Sequence, residues 1–405
     1  MTVSSLLAAL IRRTPLGWAF QAIGLSVAIA VLGSVLILQR AADTRMTRDL
    51  AGVDLVVGAK GSPLQLVTAT LFQVDAPTGN IPLTTLDILA RDPLVQTAVP
   101  VSLGDSVGED RIVGTTPAYA ELYGATLAEG RSWSAPMEAV LGAATARRLS
   151  LDIGDTFAGE HGFSGGEAHA DRPYRVVGIL NPSGSVIDRL VLTDLASVWA
   201  LHGDHGQDAG GVSDHGHDHD HAGTGAERQI TAVLVRYRSP LGAVVLPRRI
   251  AGLPDLQPAS PPEEARRLSA LVGAGSDALA GLGLSLLGLS AIGFLISLSA
   301  AVGARRRELA LLRALGAPPS RMLTLSLLEG AVLGLAGGLL GAIAARLIAV
   351  VVARAGPGGF ALPLPAVGPV EIMLVSLALS LGVIGAIVPG VLAARTDVIR
   401  TLRTV

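Results

Sequence analysis

All eight histidines of this 405-residue chain fall between positions 161 and 221. His215, His217, His219 and His221 alternate with Gly216, Asp218 and Asp220. An extended backbone would carry those four imidazoles on one side. Neutral imidazole is the commonest metal ligand, and such a run suits Zn²⁺, Ni²⁺ or Cu²⁺ with adaptable geometry. A solvated polar linker with incidental metal affinity is the plainer reading of the same residues. A second group, His161, Glu167, His169, Asp171 and His202, lies in more regular sequence and could supply a defined site. Zn²⁺ or another transition metal is therefore the one cofactor the residues suggest.

Other chemistry has little to work with. The chain has no cysteine, so disulfides, zinc ribbons and thiol catalysis are excluded. No G-x-x-x-x-G-K-[ST] loop occurs; Gly58-Ala59-Lys60-Gly61 has the wrong spacing for one. H-E-x-x-H and G-x-S-x-G are absent too, so no protease or esterase motif is visible. The chain reads as a non-enzyme, and any ATP hydrolysis belongs to a separate chain. Glu329 is a lone carboxylate inside an apolar stretch, costly there unless paired or reaching out to the interface, and the latter is expected.

These residues sit in a chain built for two solvents. Half of the residues are hydrophobic, 16% are charged, and mean hydropathy is +0.54. Soluble domains carry about 25% charge. Spanning about 30 Å of hydrocarbon takes about 20 apolar residues, and four stretches qualify: 16–38, 278–302, 322–352 and 370–394. Residues 1–15 form a short interfacial helix ahead of the first span, which is too long for a signal-peptide core. Arg12 and Arg13 precede that span. Arg305, Arg306, Arg307, Arg313 and Arg321 fill the segment 303–321, and Arg395, Arg400 and Arg403 the tail 395–405. Positive charge stays inside, which puts both termini in the cytoplasm and residues 39–277 and 353–369 outside.

Within 39–277, residues 54–57, 95–101, 174–180, 189–192 and 231–237 are rich in β-branched types and bounded by breakers, as strands are. Residues 139–149 and 194–201 have helical patterning, and 263–271 should lead directly into the second span. Residues 203–227 are a low-complexity run of Gly, Asp and His, too polar to offset the entropy of ordering. The fold class expected is a four-helix membrane protein with an inserted α+β extracytoplasmic domain.

The order of one span, a large outer domain and three spans resembles the FtsX/MacB/LolE superfamily of ABC permeases. Three segments carry the resemblance. The first is Arg305-Arg306-Arg307-Glu308-Leu309-Ala310-Leu311-Leu312-Arg313-Ala314-Leu315-Gly316-Ala317, similar to that family's cytoplasmic coupling helix. The second is Glu329-Gly330 followed by Gly334, Gly338 and Gly341, and the third is the Pro389 to Arg403 terminus. Residues 139–156 also resemble the strand, helix and Gly-Asp turn of a MacB-like core. The resemblance implies a permease subunit coupling a cytoplasmic ABC ATPase dimer to motion of the outer domain. It also implies a second permease copy, identical or not, an inner-membrane location and a periplasmic or lipoprotein partner.

The residues themselves support parts of this. Leu309, Leu312 and Leu315 form a helical apolar stripe ending at Gly316 and Pro318, suited to docking on a partner or on lipid. Gly330, Gly334 and Gly338, four apart, line one helix face and permit close helix approach. The rival class is a metal-binding membrane protein, or a metal-responsive signalling subunit, acting without an ATPase.

Overall fold

The computed structural model describes residues 15–50, 52–162, 171–202, 228–304, 310–311, 313–314, 316, 318–354 and 364–395. The chain divides into two compact units, one made of residues up to Asp43 and from Leu271 onward, the other of Thr44–Ala270.

In chain order the elements are α1 (Pro15–Asp49), β1 (Leu55–Ala59), α2 (Pro63–Val67), β2 (Ile81–Pro82), α3 (Thr84–Ala90), β3 (Val95–Val107) and β4 (Asp110–Thr115). Then come α4 (Ala118–Leu122), β5 (Leu127–Gly130), β6 (Glu138–Leu141), α5 (Ala143–Leu149), β7 (Thr156–Phe157), β8 (Glu160–His161) and β9 (Tyr174–Leu180). A 3₁₀ turn, Val186–Arg189, leads into β10 (Leu190–Asp194), followed by α6 (Leu195–His202), β11 (Gln229–Ile230), β12 (Ala232–Tyr237), α7 (Leu241–Ala251) and β13 (Leu256–Ala259). The last three are α8 (Pro261–Ala304), α9 (Pro319–Arg354) and α10 (Pro369–Ala394).

Helices α1, α8, α9 and α10 are each long and apolar enough to cross a membrane. Two outrun the stretches that hydropathy marks. α1 continues past Leu38 to Asp49 because neither Gly nor Pro occurs between Gly33 and Gly52. Gly52, at φ +86°, then takes a backbone conformation that only Gly adopts without strain. α8 starts at Pro261, whose ring suits a first helical position, and runs unbroken through 44 residues.

The other unit is built on one mixed eleven-stranded sheet, ordered β13-β1-β12-β3-β4-β10-β6-β9-β5, with β7 added to β9 and β8 to β3. Two pairings, β10–β4 and β6–β9, are parallel, and the remaining pairings of this sheet are antiparallel. The long strand β3 joins the two halves and is irregular between Leu103 and Asp105. Strand alternation divides the core. Val56 and Leu234 enter one apolar cluster, while Leu55, Val57, Val233 and Val235 enter another on the opposite face, as a side-chain period of two requires.

One sequence expectation needs correcting. Residues 139–149 are not a single helix: Glu138–Leu141 is a strand, and the helix begins at Ala143. Gly142 makes the switch possible, since a Cβ there would collide with the backbone of Ile187 and Asp188. The strand, helix and turn order implied by the family resemblance is the arrangement found, with the turn closed by Gly154 at φ +99°.

Candidate functional site

Four groups of residues need placing: the basic segment after α8, the glycine face of α9, the histidines, and a polar cluster that sequence alone did not suggest.

Of the basic segment, Arg305, Arg306, Arg307, Glu308, Leu309, Leu312 and Leu315 lie outside the described residues. What is described is its exit. Ala310 is fully buried and Leu311 is exposed. Gly316 adopts φ +91°, and its N–H donates to the Arg313 carbonyl at 3.0 Å, which closes a turn just before Pro319 opens α9. Arg313 Nη1 donates to the Ala394 carbonyl at 3.2 Å. That oxygen sits at the C-terminus of α10, where a cation complements the helix dipole.

Gly330, Gly334 and Gly338 lie on the side of α9 that meets α10. A Cβ on Gly330 would run into the Gly382 carbonyl oxygen, one on Gly334 would stand 2.5 Å from the Ala378 oxygen, and one on Gly338 2.8 Å from Ala378 Cβ. Gly337 and Gly341 take the neighbouring stripe, against Leu25 and Ile29 of α1. Backbone-to-backbone approach of this kind needs residues without side chains. Glu329 does not reach outward as expected; it is 5% exposed. With Ser326, Gly330 and Leu333 it falls on the buried stripe of α9, so helical spacing carries its side chain inward. The two other charges within spans meet: Arg346 Nη1 stands 3.2 Å from Glu371 Oε1. Arg346 also donates to the Pro365 carbonyl at 2.6 Å, and Glu371 Oε2 accepts the Gly368 N–H at 3.0 Å.

Among the histidines, His161 is described with its surroundings. It lies in β8, half exposed, with Nδ1 at 3.6 Å from Oδ1 of the buried Asp105. At that separation the two atoms are neighbours and lie beyond hydrogen-bond reach of each other. His202 closes α6. Asp171 is exposed. Glu167, His169, His215, His217, His219 and His221 lie outside the described residues. Among the described residues, no three His, Asp or Glu side chains gather as a metal-holding cluster. The two ends of the interval containing the His-rich run are held together. Trp199 Nε1 donates to the Gln229 carbonyl at 2.8 Å, and the Arg228 guanidinium stands 5.0 Å from the Trp199 ring centre.

The cluster that the sequence did not announce surrounds the last turn of α1. Asp49 is buried, accepts the Val186 N–H at 2.7 Å, and pairs with Arg45 Nε at 3.4 Å. Arg48 lies against Gly184, where its Nη1 would be 2.6 Å from an added Cβ. Gly184, at φ +72°, belongs to a turn held by Asp188, whose carboxylate accepts the Ser183 and Gly184 N–H groups, each at 2.8 Å. Burial, and then the nearby Arg45 cation, push Arg189 down to about 10. Burial pushes the Tyr119 hydroxyl well above its usual range. The only trace in sequence is an Arg and an Asp four apart, legible as a helical pair once α1 is known to extend that far.

Comparison with known proteins gives these elements their context. The model of the MacB-like periplasmic core domain matches residues 21–240, and that of the FtsX-like permease C-terminal region matches residues 280–402. Among solved structures, the periplasmic region of MacB from Actinobacillus actinomycetemcomitans is similar at 13% identity and a TM-score of 0.34, covering 54% of this chain and 94% of that one. The extracellular domain of the noncanonic ABC-type transporter YknZ from Gram-positive bacteria is similar at 11% identity and a TM-score of 0.31, covering 51% of this chain and 99% of that one. Among curated proteins none matches. With one family model covering more than half of the chain and a second covering its membrane C-terminal part, the chain belongs to the FtsX/MacB-type ABC transporter permeases, as a membrane subunit with an extracytoplasmic MacB-like domain.

Proposed function

We propose that this permease subunit pairs with a second permease copy and docks through Arg305 to Ala317 on a cytoplasmic ABC ATPase dimer. Closure of the ATPases pushes on that segment and tilts the spans, and the extracytoplasmic domain moves. Both termini then lie in the cytoplasm of a cell inner membrane. The work is done on something outside the bilayer, such as a lipoprotein, a lipid-linked cargo, a small molecule or a hydrolase partner. The observation that carries this reading is the placement of the basic segment. It lies between α8, which begins within the unit formed by Thr44–Ala270, and α9, which is closely packed on α10. A force applied there has a helix to travel along.

The test is the complex itself. The chain purified from its native membrane should bring an ABC ATPase with it. Glu308→Arg or Leu312→Asp should leave membrane insertion intact and abolish the stimulation of ATP hydrolysis by the permease. Unchanged complex formation and unchanged stimulation would reduce the segment to a signal for topology.

A second reading attaches to the histidines. We propose that the outer domain handles a transition metal or a metal-binding cargo, loosely through His215, His217, His219 and His221, and in a defined site through His161, His169 and His202. The nearness of His161 to the buried Asp105 carboxylate, at 3.6 Å, supports the second part, because a carboxylate beside a histidine is a common setting for a metal ligand. This reading also suits a metal-responsive subunit acting without an ATPase, which purification with no co-eluting ATPase would favour.

A further inference from the structure

We propose that Asp49 is a positioning residue for transmission: it anchors the outer end of α1 to the sheet of the extracytoplasmic domain. The transmitting role rests on the ATP-driven reading above; the anchoring does not.

The argument starts from where the carboxylate sits. Asp49 is the last residue of α1 and only 1% exposed. Burying a carboxylate is costly unless it is paired and hydrogen-bonded. Asp49 meets both conditions through partners of different origin. Arg45 comes from one turn earlier in the same helix and offsets the charge. The Val186 N–H comes from 137 residues further along the chain and ties α1 to the rest of the domain.

What it is tied to matters as much. Val186 opens the 3₁₀ turn Val186–Arg189, which runs without interruption into β10. β10 lies between β4 and β6 in the interior of the sheet. Val186 and Ile187 are fully buried in the apolar core, with Met46 and Leu50 packed against the same cluster. The preceding turn is itself rigid, since Asp188 holds Ser183 and Gly184 and Arg48 covers Gly184. Displacement of the last turn of α1 is therefore delivered to an interior strand through a short charge-assisted hydrogen bond. Such bonds are stronger than neutral ones and more directional than apolar packing. A surface salt bridge, or packing of Met46 and Leu50 alone, would let the helix end slide.

The chain has no cysteine of its own, so spin labels can be placed cleanly on the full chain. Thr47→Cys and Ala128→Cys, both at exposed positions, report the distance between the last turns of α1 and the sheet. A single narrow distribution is expected in the parent and in Asp49→Asn, whose amide oxygen still accepts the Val186 N–H. Asp49→Ala should lose the narrow distribution while hydrogen exchange across β4, β10 and β6 stays as in the parent. A distribution as narrow in Asp49→Ala as in the parent would overturn the proposal. Faster exchange across those strands accompanying the broadening would also overturn it, by making Asp49 a stabiliser of the domain. An Asn variant as broad as the Ala variant would overturn the part assigned to Val186. In the complex with its ATPase, added ATP should leave the parent distribution narrow, because the helix end and the sheet move together, and should broaden that of Asp49→Ala further. A parent distribution that broadens with ATP would overturn the transmitting role, whereas a purified chain with no ATPase contradicts the functional reading and leaves the label results on anchoring to stand by themselves.

Discussion

Single residues decide how the membrane part holds together, and Arg346 with Glu371 is the sharpest case. Each looks like a blemish in its apolar stretch, and sequence gave no reason to join them across 25 positions. Joined, they form a half-buried pair whose spare capacity is taken by the Pro365 carbonyl and the Gly368 N–H. Removing one partner of such a pair leaves the other charge stranded in a poor solvent. The expected cost is about 2 kcal/mol, below the range for fully buried pairs because both groups keep some exposure. Arg346→Met and Glu371→Leu should each lower the unfolding midpoint in detergent, and the double variant should recover much of the loss. Equal, additive losses would show that the two side chains do not depend on each other. Asp49 shows the same limit of legibility. Its i, i+4 partner could be read from the sequence, whereas its bond to Val186 could not, because nothing local encodes which loop returns to meet it.

Elements were more legible than residues, for physical reasons that differ between them. Long apolar runs announced the four long helices, and β-branched runs announced β9, at Tyr174–Leu180, to the residue. Patterning failed at residues 139–149, where alanines suit both a helix and a small-residue strand, and where the break depends on the backbone of residues 187 and 188 pressing on Gly142. Hydropathy marks only the membrane-crossing part of α1, because charge limits a bilayer span and not a helix. Glycines in helices deserve the same distinction, because their surroundings differ. Gly334→Ala would drive a Cβ against the backbone of α10, at 2.5 Å from the Ala378 oxygen, and overpacking of this kind costs about 1–3 kcal/mol. Gly273 and Gly275 in α8 have no atom within 4 Å of an added Cβ, so Ala there should stabilise the helix by up to about 1 kcal/mol each. Thermal unfolding in detergent compares the two directly, and a loss at Gly273→Ala comparable with that at Gly334→Ala would contradict the packing described here.

At the scale of the whole molecule, the residues that flank the low-complexity interval 203–227 are the ones to test. Trp199 with Gln229 and Arg228 brings its two ends to one place, so replacing residues 203–227 by a short Gly-Ser linker should leave the domain's melting temperature unchanged. The same variant separates the two metal sites proposed above. Loose, multi-site zinc binding should vanish, while a preformed site would keep one tight Zn²⁺ and raise the melting point, since a ligand bound only to the native state stabilises it. Calorimetry on the excised full chain that finds neither would leave His161 as an ordinary partner of Asp105. The unbroken helix α8 has a consequence of another kind. Its 44 residues, at a rise of about 1.5 Å each, make a rod of about 66 Å, roughly twice the hydrocarbon thickness. Such a rod is a lever: pivoted at one end, a tilt of about 10° sweeps the other through roughly 11 Å if the helix stays straight along its length. Each glycine in that helix, Gly273 and Gly275 among them, weakens it locally, and so bears on how much of an angular input arrives as linear stroke.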